Sequence, residues 1–262
     1  MKFLAMLAAL LIHGRHRPPP LTWPARWQPV PGPGLWRALA ASLGPALGAT
    51  ALLWLAGTWL WGLVGLALQL VVLIGCLGGT PWRRLLDTLA AEGQRGDLQA
   101  ALLSLDQEGI AVVATEAEAL PAAVSDSLAL RGVREGFAVL FWFMLLGAPG
   151  ALLYRCSERV AAAGGGGWLL ALLEWPALRA FGLLTALAGR PGRALGVWLE
   201  TLLVPLPPVR RAGQAVAMAM DPPPAALPPG VALAARVRGL QALLGRALLV
   251  WVAVVALTWI LF

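Results

Sequence analysis

Residues 137–155 read FAVLFWFMLLGAPGALLYR, and no charge interrupts them before Arg155. As one helix, Phe137 to Tyr154 would rise roughly 27 Å, close to the ~30 Å hydrocarbon core of a bilayer. Aromatics gather near the start (Phe137, Phe141, Trp142, Phe143) and Tyr154-Arg155 close the stretch, the placement of interfacial anchors. Its second half holds Gly147, Pro149, Gly150 and Ala151. Pro149 has no N–H to offer the carbonyl of Leu145, so the helix should kink or break there. Gly147 and Ala151 are small and four apart, a spacing that admits a second helix backbone. Two readings stand side by side: a membrane span kinked by proline, and a packed helix at the wall of an intramembrane or interfacial cleft.

The rest of the chain fits a membrane setting. Of its 262 residues, 59% are hydrophobic and 13% charged, with a mean hydropathy of +0.75. A soluble domain carries about 25% charge. The net charge of +7 comes almost wholly from arginine and reads first as membrane topology. No basic run interleaves with aromatics on a polar face, so a nucleic-acid partner is not expected. Cys76 and Cys156 have no zinc or disulfide spacing, and His13 and His16 read as part of a basic loop. With no Walker loop, dinucleotide fingerprint or nucleophile triad, the chain suggests no metal, cofactor or catalytic set.

Six stretches follow. Residues 1–37 are a short apolar helix (1–12) and a Pro-rich linker. Residues 38–77 form an apolar hairpin, with spans expected over 38–56 and 58–77. Residues 78–136 hold nine of the thirteen acids. There Trp82, Leu85, Leu86 and Leu89 share one helix face, and Asp97 is placed to cap a helix carrying Leu98, Leu102 and Leu105. Thr80-Pro81 and Thr115 with Glu118 look like further helix starts. Residues 137–155 are the central kinked helix. Residues 156–245 are Arg-rich, with an interfacial or re-entrant helix over 168–188 that starts afresh at Pro176. Residues 246–262 make a final span. The expectation is an all-α, polytopic membrane protein with about four transmembrane helices.

At this point the chain resembles a known family. FAVLFWFMLLGAPGALLYR is similar to the signature of AmpE, the regulatory signalling modulator associated with β-lactamase induction. It is similar also to the related CobD/CbiB proteins, adenosylcobinamide-phosphate synthases of cobalamin biosynthesis. Leu89-Ala90 followed by Gly96-Asp97-Leu98 and Ala100-Ala101 resembles a further family segment. Leu173-Glu174-Trp175 with Arg179 resembles the acid-or-Asn, Trp, then Arg pattern of a later helix, with Pro176 one place early. Two elements of the synthase branch do not appear. Where it has E-N-x-x-D this chain reads SLALRGVREGF, and its N-T-L-D-S is replaced by Arg155-Cys156-Ser157-Glu158-Arg159.

The resemblance thus implies a bacterial inner-membrane, multi-pass protein of the AmpE type, linked to peptidoglycan recycling. The alternative is a membrane amide synthase of the CobD/CbiB type that uses ATP. Tyr154, Arg155, Trp175 and Arg179 are the candidate functional residues. Arg179 interrupts an apolar helix at a cost of ~2.5–3.5 kcal/mol in hydrocarbon, so it needs a partner or a wet pocket. If Arg155 faces the same pocket, two cations suit a phosphate or carboxylate. The expected partners are therefore membrane lipids, with an anionic cell-wall metabolite or another membrane protein beside them.

Overall fold

The computed structural model describes residues 2–15, 35–56, 63–77, 82–110, 112, 119–202, 216, 219–220 and 227–261. Among them there is no strand. The helices are α1 (Lys2–Arg15), α2 (Leu35–Ala56), α3 (Leu63–Cys76), α4 (Trp82–Arg95), α5 (Leu98–Gln107), α6 (Leu120–Gly132), α7 (Ala138–Leu146), α8 (Ala148–Ala162), α9 (Gly167–Ala188), α10 (Pro191–Leu202) and α11 (Pro229–Leu261). A π-helical turn, Val133–Phe137, joins α6 to α7. Windows in α2 (Ala38–Leu55), α9 (Gly167–Ala188) and α11 (Pro229–Thr258) are long and apolar enough to cross a membrane, and Lys2–Leu11 and Leu63–Cys76 are shorter apolar helices. The chain is an all-α membrane protein. The Pro-rich linker and the starts expected at Thr80-Pro81 and Thr115–Glu118 lie outside the described residues.

The helices fall into two units. Unit 1 draws on Met1–Thr80 and Arg134–Ala177, unit 2 on Pro81–Val133 and Leu178–Phe262.

In unit 1, α8 packs against α2, α3 and α7, and α3 also meets α1. Small residues allow the approach: Ala46 and Ala49 of α2 and Ala148 and Ala151 of α8 are buried. Elsewhere α2 exposes Leu47, Trp54 and Leu55, which suits contact with lipid.

The central stretch does not form the single span expected over 137–154. It makes two helices, and neither is long enough to cross alone. Gly147 sits at φ 79° and ψ −156°, a region essentially reserved for glycine. Its N–H closes α7 on the carbonyl of Phe143 at 2.7 Å, and its carbonyl takes the N–H of Gly150 at 3.0 Å. One residue therefore ends one helix and caps the next. Pro149 falls in the first turn of α8, where its missing N–H costs nothing. The chain turns so sharply that a Cβ on Gly150 would lie against the Trp142 carbonyl and 2.7 Å from Leu146 Cβ. The small residue at 150 thus serves the approach of α8 to α7.

The helix expected to start afresh at Pro176 is instead continuous from Gly167 to Ala188. Lost hydrogen bonding at one proline is outweighed by packing on both sides, where Leu173, Glu174, Ala177 and Leu178 are buried.

In unit 2, α4 buries Leu85, Leu86, Leu89 and Ala90, the face read from its spacing. Asp97 caps α5 as expected, its Oδ1 accepting the N–H of Ala100 at 2.9 Å. The last helix begins at Pro229 rather than near residue 246. Its first half buries Leu233, Val237, Leu240, Leu243 and Ala247 and packs on α4 and α6. That stripe recurs every three or four residues, but Arg236, Arg238 and Arg246 mask it in a hydropathy reading. The second half exposes Leu249, Leu257, Ile260 and Leu261. Where α4 meets α11, Gly93 faces Gly230; a Cβ on Gly93 would come 2.7 Å from the Gly230 carbonyl oxygen.

Candidate functional site

A lone acid in an apolar helix must find a cation, because an unpaired buried carboxylate is prohibitively costly. Glu174 of α9 is such a residue, 4% exposed. Its partner is Arg134, on the π-helical turn. Arg134 Nε donates to Glu174 Oε1 at 2.6 Å and its Nη2 to Oε2 at 3.3 Å, a fork-to-carboxylate arrangement. A π turn inserts a residue into the helical register and re-aims the side chains around it. Burial alone would lower the pKa of Arg134, but the hydrogen bond and charge of Glu174 outweigh it and hold the guanidinium above its ordinary value. The neighbouring turn of α9 is fastened too, since Trp142 Nε1 donates to the Leu173 carbonyl at 3.1 Å.

A second pair stands on α8. Arg155 Nη1 donates to Glu158 Oε2 at 2.5 Å, and its Nε to the carbonyl of Cys76 at 2.5 Å. Arg155 thereby satisfies a carbonyl at the C-terminal end of α3, where no intrahelical donor remains. Tyr154 lies in the electrostatic field of both pairs, with Glu174, Glu158, Arg134 and Arg155 all acting on it. Its side chain is fully buried, and its hydroxyl has no hydrogen-bond partner among the described residues. Unit 1 thus encloses two guanidiniums, two carboxylates and an orphan phenol. Burial pushes the nearby Cys156 thiol up to about 11 against the pull of Arg159, so it is not a ready nucleophile.

Of the four residues singled out from the sequence, Tyr154 and Arg155 belong to this cluster. Trp175, 39% exposed, is also in unit 1. Arg179 belongs to unit 2, where it is buried and its carbonyl accepts the indole N–H of Trp198 at 2.8 Å. Arg134, Glu174 and Glu158 are the cluster members that sequence reasoning did not assign. The demand for a cation was visible in Glu174; its identity depended on the π turn. No group of three or more metal-ligating side chains occurs among the described residues.

No family model matches the chain. It is 38% identical over 106 residues to the cobalamin biosynthesis protein CobD of Stutzerimonas stutzeri (strain A1501), a match covering 36% of this chain and 32% of that protein. The likeness therefore spans about a third of each, and it supports a CobD/CbiB-like relationship. No solved structure matches.

Proposed function

We propose that this is a multi-pass inner-membrane protein of the CobD/CbiB kind that acts in cobalamin biosynthesis as a membrane amide synthase, the activity of adenosylcobinamide-phosphate synthases. The observation that carries the reading is the 38% identity with a protein described as a cobalamin biosynthesis protein. The cluster in unit 1 is compatible with it: charged groups held inside an apolar helical unit are expensive and characteristically functional. The test is complementation of a strain that lacks cobinamide-phosphate synthase. Restored cobalamin-dependent growth is expected. Failure to grow, with the protein present in the membrane fraction at normal level, would remove the synthase reading.

A second reading has its own observation. The stretch 128–137 is LALRGVREGF, without the asparagine of the synthase element, and 155–159 is RCSER. Arg134 and Arg155 there are spent on internal pairs. This favours a non-catalytic AmpE-type modulator that meets an anionic cell-wall metabolite or another membrane protein and so tunes β-lactamase induction. Under this reading, deletion of the chain alters induction by a cell-wall antibiotic and leaves cobalamin growth unchanged.

A further inference from the structure

A glycine inside a helix needs a reason, because it loses more backbone freedom on folding than any other residue. At Gly93 and Gly150 the reason is close approach, since a Cβ there would collide with a neighbouring carbonyl. Gly44 and Gly48 of α2 are different. Both lie inside the helix, and no heavy atom comes within 4 Å of where a Cβ would stand. The space they leave open is a groove of about 290 Å³ within unit 1. Gly44, Gly48 and Leu52 line it from α2, Leu68 and Val72 from α3, and Leu152 from α8. Every lining residue is apolar. A water molecule needs two to four polar partners, which such walls do not supply. Left empty, the groove forfeits the dispersion contacts of its walls. An apolar cavity of about 150 Å³ is enough to hold benzene, and this one has roughly twice that room.

What fills the groove follows from where it opens. Its wall residue Leu52 is itself exposed, as are Gly44 and Gly48. Gly44, Gly48, Leu52 and the exposed Leu55 recur at helical spacing, so the groove continues into one stripe of α2. That stripe lies within Ala38–Leu55, the window of α2 long and apolar enough to cross a membrane. The groove is therefore continuous with the lipid-facing surface of a membrane protein. One turn of a helix about 10 Å across occupies roughly 400 Å³, more than the groove holds, whereas an acyl chain is a single methylene wide. We propose that the groove between α2, α3 and α8 binds one acyl chain of a bilayer phospholipid. The methylenes supply the contacts that the two glycines leave open. With no polar residue in the lining, the site selects for the chain and not for the headgroup. It depends on neither reading of function.

The experiment titrates the delipidated full chain, in detergent, with phosphatidylglycerol carrying a photoreactive diazirine on one acyl chain. Adducts are mapped by peptide mass spectrometry after irradiation, and melting is followed in parallel. Labelling at residues 44–53, 68–72 and 152 is expected to saturate, and melting to rise over the same range. Labelling at Leu249 and Leu257, exposed on α11, should instead grow in proportion to the lipid added. Gly48→Leu fills the groove from α2 and Val72→Phe fills it from α3. Each should cut groove labelling about tenfold or more and remove the lipid-dependent rise in melting. Leu47→Ala, exposed on α2 but outside the lining, should change neither. Phosphatidylethanolamine with the same chain should label equally. Groove labelling in wild type that only grows in proportion to lipid overturns the proposal, whether or not the variants fold. So do folded Gly48→Leu and Val72→Phe proteins that label as wild type does, and a strong preference for one headgroup. A dimeric mass in light scattering that falls to one chain with Gly48→Leu also overturns it, and assigns the groove to a second copy.

Discussion

Two prolines sit in comparable apolar surroundings and have opposite outcomes. At Pro149 the chain breaks into α7 and α8; at Pro176 helix α9 runs on. The difference lies two residues before each. Two positions before Pro149 stands Gly147, with a backbone conformation that other residues rarely adopt. Two positions before Pro176 stands Glu174, buried and tied to Arg134. Proline lacks an N–H in either case, but that alone does not decide whether the chain turns. A glycine that can leave the helical region decides for turning, and a buried ion pair with a well-packed flank decides against it.

The largest effect should follow from closing the turn to its partner. Gly150→Leu drives a side chain into the Trp142 carbonyl and Leu146 Cβ, and should cost about 3 kcal/mol or more. Unchanged detergent melting would mean that α8 does not fold back on α7. Gly147→Ala asks whether conformation or space governs the break. Its added Cβ meets the flexible Lys2 side chain at 3.4 Å and Pro149 Cδ at an ordinary 3.8 Å, so the expected loss of ~1–3 kcal/mol comes from backbone strain. An Ala variant as stable as wild type would show that the turn tolerates a different backbone. The smallest effect belongs to Pro176→Ala. A restored N–H can meet the carbonyl of Leu172, and melting should rise by the equivalent of ~1 kcal/mol or less. A fall in melting would mean that the fixed backbone of Pro176 is needed to present Glu174.

Much of this contrast was legible in the residues, and part was not. Gly147-Ala148-Pro149-Gly150 announced a break because glycine and proline act locally. The helix faces of α4 and the cap at Asp97 were equally local and read correctly. Pro176 looked like a start for the same local reason, and packing with distant residues overrode it. The first half of α11 was hidden because its arginines lower hydropathy without disturbing the apolar stripe. The Arg134–Glu174 pair joins residues forty apart through a π turn, a register shift that no composition or spacing encodes. Tyr154 and Arg155 stood out by their place at the end of the apolar run, whereas the partners around them did not.

The contact of Gly93 with Gly230 bears on the timing of synthesis. Helices α4 and α6 pack on α11, whose first residues follow α4 by well over a hundred positions. At ~5–20 residues per second the ribosome needs roughly 7–30 s to deliver them. For that interval the part of α4 that α11 covers has no helix against it. The amphipathic helices of the middle of the chain therefore wait for its last helix, resting against the bilayer or a chaperone. A truncation before Pro229 would leave that waiting state permanent, a ready substrate for membrane proteases.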